Sequence, residues 1–204
     1  MKDFREIKTE IKDLFENQNE IENLEQISQR LQLILGEIEG KLEALFSHAT
    51  HDSLTGLYRR EVLVKSIEDD LKEGHTGGLI ILDIDHFKKI NDQQGHMKGD
   101  EILIGVSRKL EKILPAPISI ARLGGEEFGI WIPAATPAEL SARTEWIRAS
   151  IANTPISGVT VTVSMGWALD QKRWFDFYRI ADQRLYMAKR NGRNQVWKEV
   201  GNYF

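Results

Sequence analysis

The stretch ISIARLGGEEFGIWI, residues 118–132, decides the fold, because two apolar runs meet there at a pair of glycines. Residues 118–123 and 127–132 predict two strands. Gly124-Gly125 predicts a hairpin turn between them, since such a turn needs positive φ. Glu126 and Glu127 follow directly, where the missing β-carbons of the glycines let a ligand approach the backbone. The hairpin therefore carries acidic side chains at its turn.

Strands and helices alternate on both sides of this hairpin. Further strands are predicted over residues 78–84, 159–168 and 194–197. Helical spacing covers residues 101–114, 137–153 and 174–190. We therefore expect an α+β fold with a central, mostly antiparallel sheet flanked by helices, preceded by a long N-terminal coiled-coil helix.

The N-terminal segment has the period of a coiled coil. Apolar residues recur at alternating steps of three and four, interrupted by Ser28, and Asn17-Gln18-Asn19 predicts an irregularity in the register. We expect residues 1–46 to form a dimerising, signalling helix and residues 47–204 a catalytic domain. The alternative is a single amphipathic helix that folds back on its own domain. The heptad positions are Ile21, Leu24, Ser28, Leu31, Leu35, Ile38, Leu42 and Leu45.

Composition narrows the class of protein. The 204 residues are 41% hydrophobic and 28% charged, and the net charge of −4 argues against nucleic acid or an anionic membrane as the main partner. The absence of cysteine excludes disulfides and thiolate metal sites. No apolar run approaches the roughly 20 residues that span a bilayer, so we expect a soluble, cytoplasmic chain without a membrane segment. A membrane or sensor portion upstream is left open.

Acidic residues recur where the predicted strands end. Asp83 and Asp85 close the strand over residues 78–84, and Glu126 and Glu127 follow the glycine turn. Bringing these carboxylates together is unfavourable unless a cation lies among them. Oxygen ligands suit Mg²⁺, which takes one or two carboxylates and leaves other positions to water and phosphate. The alternative is that these are solvated turn residues.

Basic groups complement the acids. Lys189 and Arg193 lie four residues apart near a predicted helix C-terminus, so both face one way. Such a pair is also a common complement to the helix dipole. Residues 86–88 form a short turn that can direct backbone N–H groups toward an anion.

Gly124-Gly125-Glu126-Glu127-Phe128, preceded by Arg122, resembles the signature of the diguanylate cyclase family, the GGDEF domains. Four further segments match in order, and together they extend the resemblance from Asp52 to the C-terminus. They are DSLTGL at 52–57, DIDHFKKIND at 83–92, GHMKGD at 95–100 and ADQRLYMAKRNGRN at 181–194.

The resemblance implies a role for each matching position. It implies Mg²⁺, with Mn²⁺ as a substitute, on the carboxylates of Asp83 and Glu127 and the carbonyl of Ile84. It makes Glu126 a candidate general base and Arg122 a neutraliser of phosphate charge. Guanine is read by Asn91 and Asp100. The triphosphate is held by the backbone of His86, Phe87 and Lys88 and by the side chains of Lys189 and Arg193.

These roles imply an enzyme that joins two GTP molecules into cyclic di-GMP, with two domains of a homodimer facing each other. The coiled coil then tethers the two half-sites. Two other classes compete: a receptor that binds GTP or cyclic di-GMP without turnover, and a coiled-coil interaction protein with an inert cap. The second leaves the acidic residues unexplained.

The chain departs from the family pattern in two places. Many members carry an inhibitory Arg-x-x-Asp site that ends five residues before the glycine pair, where this chain has Pro115-Ala116-Pro117-Ile118. Proline and isoleucine offer no donor or acceptor side chain, so we expect no product inhibition through this loop. Arg59 replaces the usual asparagine after the Leu-Thr-Gly-Leu turn, which bears on the hinge between the helix and the domain.

Overall fold

The computed structural model describes residues 4–16 and 23–197, with side chains for residues 5–12 and 26–197. It divides into two compact units, Met1–Ala49 and Thr50–Phe204. The helices are α1 (Phe4–Glu16), α2 (Asn23–Thr50), α3 (Arg60–Lys72), α4 (Phe87–Gln94), α5 (His96–Ile113), α6 (Pro137–Ala152) and α7 (Trp174–Arg190). The strands are β1 (Tyr58–Arg59), β2 (Gly77–Ile84), β3 (Ser119–Gly124), β4 (Glu127–Pro133), β5 (Val163–Leu169) and β6 (Val196–Trp197).

The second unit is built on a six-stranded sheet in the order β1-β3-β4-β2-β5-β6. The pairings β2–β4, β2–β5 and β3–β4 are antiparallel, and the short edge strands β1 and β6 pair parallel to β3 and β5. The predicted α+β class with a mostly antiparallel sheet is confirmed. The glycine pair forms the β3–β4 turn, with Gly124 at φ 153° and Gly125 at φ 50°.

Helices cover both faces of the sheet, so all eight residues of β2 are buried. Because side chains alternate along a strand, Ile80, Leu82 and Ile84 face α5 and α6, whereas Leu79 and Ile81 face α3 and α7. The core is thus split into two layers. Asp83 comes two residues after Ile81, so its side chain lies on the face of the sheet that α3 and α7 cover.

Two predicted boundaries shift in the structure. β5 begins at Val163 rather than at residue 159, because Ser157 and Gly158 adopt φ of 48° and 78° in a turn closed by an Ile156–Val159 bridge. α5 begins at His96 rather than at residue 101, after Gly95 has ended α4 with φ 86°.

The first unit contains α1 and α2. Along α2 the heptad residues Leu35, Leu42 and Leu45 have exposed fractions of 57%, 61% and 68%, whereas the neighbouring Ile34 is 8% exposed. This helix therefore presents an apolar stripe to solvent. The predicted register irregularity at residues 17–19 lies outside the described residues. Within the described ranges, no helix combines the length and apolar character needed to cross a bilayer.

Candidate active site

Strand register brings together the two acidic segments singled out in the sequence. Asp83, near the end of β2, lies directly opposite Glu127, the first residue of β4. Residues directly opposite in an antiparallel pair have their side chains on the same face. That face is the one covered by α7, and α7 ends at the same edge of the sheet. The site therefore lies where β2 ends, β4 begins and α7 terminates.

Asp83 is 5% exposed and is paired with a cation from α7. The Nζ atom of Lys189 lies 2.7 Å from Oδ2 of Asp83. Burial raises the pKa of Asp83 to about 6, Glu126 and Glu127 add to the rise, and the Lys189 ammonium opposes it. The ammonium thus stabilises a carboxylate that its surroundings otherwise make hard to ionise.

Glu127 shares this electrostatic environment. Burial raises its pKa, the Lys189 ammonium opposes the rise, and Asp182 and Glu126 add to it. Arg60, at the first turn of α3, also lowers the pKa of Glu127. The Arg60 guanidinium lies 5.0 Å from the ring centre of Tyr178. Sequence reasoning missed Arg60, Tyr178 and Asp182, since only the packing of α3 and α7 brings them to the site.

The donor set fits a hard divalent cation that is completed by substrate. Within the described residues, no group of three or more His, Cys, Asp or Glu side chains is gathered for metal binding. Two opposed carboxylates and backbone carbonyls are present instead, and the Ile84 amide donates to the Glu126 carbonyl at 3.3 Å. Mg²⁺ is commonly held by one or two carboxylates plus phosphate oxygens and water. The site therefore provides part of a coordination sphere.

The turn after β2 forms the start of a helix. His86 has φ 58° and precedes α4, and no side chain caps the helix there. The first N–H groups of a helix have no acceptor within the helix, so those at Phe87 and Lys88 are available to an anion. Since α4 begins three residues after the end of β2, this uncapped helix start adjoins Asp83.

Asn91 lies where α4 packs against α5. Its Oδ1 atom is buried and has no hydrogen-bond partner within the described part of the chain. A β-carbon at Gly99 would come within 1.9 Å of that oxygen, so glycine is what lets the two helices approach. Asp100 follows Gly99 and is exposed. An unsatisfied amide and an exposed carboxylate thus border one surface.

Arg122 makes contacts within the protein. Its Nε donates to the Gly125 carbonyl at 2.9 Å, and its Nη1 lies 3.1 Å from Oδ1 of Asp52. Partial burial opposes ionisation of Asp52, but hydrogen bonds from Thr55 and Arg122 hold the pKa of Asp52 below its usual value. Arg122 therefore fixes the glycine turn to the loop at residues 52–55.

Asp85 does not join Asp83 at the candidate metal site. It accepts hydrogen bonds from Thr162 Oγ1 at 2.7 Å, Ser164 Oγ at 2.6 Å and the Asn194 backbone N–H at 2.9 Å. This carboxylate is 4% exposed and ties the segment after α7 to the end of β2. The segment carries Arg193, whose exposed guanidinium makes no hydrogen bond or ion pair with residues that the structure describes.

The domain that carries this candidate site matches a known family. Residues 49–195 match the family described as "Diguanylate cyclase, GGDEF domain". The chain belongs to this GGDEF family.

Three similar proteins illustrate the match. Diguanylate cyclase DgcP of Pseudomonas aeruginosa is 35% identical over 195 residues, which are 86% of this chain and 29% of that protein. The structure of the coiled coil and GGDEF domain of DgcB from Caulobacter crescentus, in complex with c-di-GMP, is 29% identical with a TM-score of 0.76, covering 85% of this chain and 98% of that one. The active GGEEF domain of a diguanylate cyclase from Vibrio cholerae is 30% identical with a TM-score of 0.58, covering 67% and 97%.

Proposed function

We propose that the chain is a diguanylate cyclase that condenses two GTP molecules into cyclic di-GMP and two pyrophosphates. The observation that carries this proposal is that Asp83, near the end of β2 and close to the start of α4, lies opposite Glu127, two residues after the Gly124-Gly125 turn. Support also comes from the relatives, since the similar Vibrio cholerae domain has the Gly-Gly-Glu-Glu-Phe form of the signature and is described as active. A receptor without turnover gives no reason to keep both carboxylates.

The proposed metal is Mg²⁺, with Mn²⁺ as a substitute. Asp83, Glu127 and the Ile84 carbonyl hold it, and it supplies charge neutralisation at the phosphates. Lys189, which pairs with Asp83 in the structure, has an ammonium of the charge that a triphosphate needs. Lys189 therefore exchanges its carboxylate partner for phosphate when the nucleotide binds.

Two separate groups of residues bind GTP, one at the triphosphate and one at the guanine base. The N–H groups of residues 86–88 and the cations Lys189 and Arg193 hold the triphosphate. Asn91 and Asp100 read the guanine edge: the Asp100 carboxylate accepts from the N1–H and N2–H₂ groups of guanine, and the Asn91 amide NH₂ is available to donate. Adenine lacks that donor pair and leaves Asp100 unpaired, so the site selects GTP over ATP.

The reaction joins two bound nucleotides. The 3′-oxygen of one GTP attacks the α-phosphorus of the other, the new P–O bond forms, and the bond between the α-phosphorus and its bridging oxygen breaks to release pyrophosphate. Glu126 accepts the hydroxyl proton. Repetition with the roles of the nucleotides exchanged closes the ring. Each step depends on positioning and charge neutralisation.

One domain holds one nucleotide, so the product requires two domains face to face. The exposed stripe of Leu35, Leu42 and Leu45 on α2 is a surface through which a second copy docks as a coiled coil. Docking raises the effective concentration of one half-site at the other. The homodimer is therefore part of the mechanism.

The loop that precedes β3 lacks an inhibitory site. Pro115, Ala116 and Pro117 are exposed and Ile118 is partly exposed, so this loop offers no cationic or acidic side chain to a bound dinucleotide. We expect no product inhibition through this loop.

One assay tests the proposal. The chain is incubated with GTP and Mg²⁺, and cyclic di-GMP is detected by mass, with Glu127→Ala as the inactive variant. Arg143→Ala serves as the active control, because Arg143 pairs with Glu139 on α6 and with no other residue in the part of the chain that the structure describes. Absence of cyclic di-GMP from the wild-type dimer refutes the proposal.

Selectivity is tested with the same assay. Asp100→Ala is expected to lose discrimination against ATP, measured as the ratio of kcat/KM for the two nucleotides. A variant that keeps full selectivity excludes Asp100 as the guanine reader. Dilution of the wild-type chain below the dimer dissociation constant is expected to abolish turnover, and an undiminished rate per chain excludes the two-domain mechanism.

A further inference from the structure

The segment after α7 holds an unusual backbone conformation at a proposed substrate-binding residue. Gly192, Arg193 and Asn194 have φ of 111°, 62° and 45°. Left-handed conformations of residues other than glycine are costly and persist only where surrounding contacts fix them. Since the Arg193 side chain has no partner of its own among the described residues, its direction is set by the backbone that carries it.

Several contacts fix this segment from the sheet and from α7. The Arg193 N–H donates to the Ala188 carbonyl at 3.0 Å, and the Asn194 N–H donates to Asp85 at 2.9 Å. The Gln195 carbonyl accepts from the Met165 N–H at 3.0 Å. These bonds leave the side chain of Asn194 available to one further element.

That element is α6, which packs on the layer opposite α7. Nη1 of Arg148 donates to Oδ1 of Asn194 at 2.8 Å. Arg148 is itself held by Glu145, which accepts from its Nε at 3.0 Å and from its Nη2 at 2.5 Å. The Arg148 side chain is 22% exposed, so a fixed guanidinium on α6 reaches the segment that carries Arg193.

We propose that Arg148 is a positioning residue that, through Asn194, holds the left-handed segment and so directs the Arg193 guanidinium toward the triphosphate. The role of the triphosphate as ligand rests on the proposed function. The role of Arg148 in holding the backbone of residues 192–194 does not. Arg148 lies outside every motif that marks the family resemblance, and no part of the proposed reaction requires it to touch substrate.

Helix α6 offers a matched control for the test. Arg143 is paired with Glu139 at 2.9 Å, as Arg148 is with Glu145, but it has no bond to residues 191–197, the described part of the segment after α7. Arg148→Ala and Arg143→Ala therefore remove the same group from the same helix. A similar fall in Tm for the two variants shows that loss of the Arg148–Glu145 pair and loss of the Arg143–Glu139 pair destabilise the protein to a similar extent.

The first measurement is binding of a GTP analogue with a methylene group between the α- and β-phosphates, by calorimetry with Mg²⁺. Loss of one charge-assisted, partly exposed hydrogen bond is expected to weaken binding of the analogue about threefold to tenfold in Arg148→Ala. Guanosine, which has no phosphate, is expected to bind both variants as it binds the wild type. Unchanged affinity of Arg148→Ala for the analogue overturns the proposal.

The second measurement does not depend on GTP. Amide hydrogen exchange at Arg193 and Asn194 reports whether the segment is held. It is expected to accelerate in Arg148→Ala and not in Arg143→Ala. If the wild-type chain fails to bind the analogue, the proposed function fails, and this measurement alone decides the role of Arg148. If the amides of Arg193 and Asn194 exchange in Arg148→Ala at the rate of the wild type, the proposed role of Arg148 is overturned.

Substitution of Asn194 tests the route of the effect. Asn194→Gly keeps the left-handed backbone and removes the acceptor for Arg148. It is therefore expected to weaken binding of the analogue and to accelerate amide exchange as much as Arg148→Ala does. The double variant is expected to show no larger loss of affinity than either single variant. Asn194→Asp keeps an acceptor for Arg148 and is expected to retain the protected amides. Additive losses in the double variant exclude action through this bond.

Discussion

Asp83→Asn is expected to make the metal-free protein more stable, because the site holds an ionised carboxylate where burial opposes ionisation. The pKa of Asp83 is raised from 3.8 to about 6. At about 1.36 kcal/mol for each pH unit, this difference corresponds to about 3 kcal/mol at pH 7.5. That pKa already includes the opposing effect of Lys189, and the imperfect match of an asparagine amide to the protonated carboxyl in this buried position offsets about 1 kcal/mol. The net gain is about 2 kcal/mol, or roughly 4–8 °C in Tm for a domain of this size.

The pH dependence of this gain follows from the sign of the shift. The folded protein keeps the Asp83 proton at a higher pH than the unfolded chain does. The stabilisation from that proton is present below pH 3.8 and is lost as the pH rises through about 6. The variant has no such proton, so the difference in stability is small near pH 4 and reaches its full size above pH 7.

The assay is chemical denaturation with a chelator present, at pH 4.5 and pH 7.5. Asp52→Asn is the control, since hydrogen bonds lower the pKa of Asp52 and its loss is expected to destabilise the protein at pH 7.5. An Asp83→Asn variant that is no more stable than the wild type at pH 7.5, or whose gain is equal at the two pH values, refutes the reasoning.

Four further predictions follow from other parts of the molecule. Affinity for Mg²⁺, measured by calorimetry with the GTP analogue, is expected to fall as the pH is lowered through about 6, because a proton then competes for Asp83; a flat profile contradicts this. Arg122→Ala is expected to lower stability by about 1–3 kcal/mol in denaturation, because it leaves Asp52 without its cationic partner. Insertion of one to seven residues between positions 38 and 48 is expected to change turnover with a helical phase, and a uniform response argues against coupling through α2. Added cyclic di-GMP is expected to give no noncompetitive inhibition that depends on residues 115–118.

Periodicity predicted the elements that are long or marked by clear end signals. α7 runs from Trp174 to Arg190 as predicted, and α6 begins at Pro137, where Thr136 caps it through the Glu139 N–H. The β3–β4 hairpin follows from its glycines. Helix α3 went unpredicted, and so did the eight-residue α4, whose one buried residue is Phe87. Such short helices depend on tertiary packing, which periodicity does not report.

The site residues that could be predicted are those that stand beside a strand or turn pattern in the sequence. Asp83 and Glu127 each follow a strand or turn signal, and antiparallel pairing of their strands places them opposite one another. No sequence pattern indicates the pairing of Arg122 with Asp52, since the two residues are seventy positions apart. The same holds for Arg60 beside Tyr178 and for Arg148 beside Asn194, since these pairs exist only once helices pack on the sheet.

The Lys189–Asp83 ion pair gives the site a built-in counter-ion. A divalent cation arriving alone must displace the Lys189 ammonium from the buried Asp83 carboxylate, whereas a cation that arrives with a triphosphate brings a new anionic partner for that ammonium. By thermodynamic linkage, each of the two ligands strengthens the other's binding. Under the proposed function, the domain is therefore protected from loading with free metal and responds to the cellular supply of the metal–nucleotide complex as a single species.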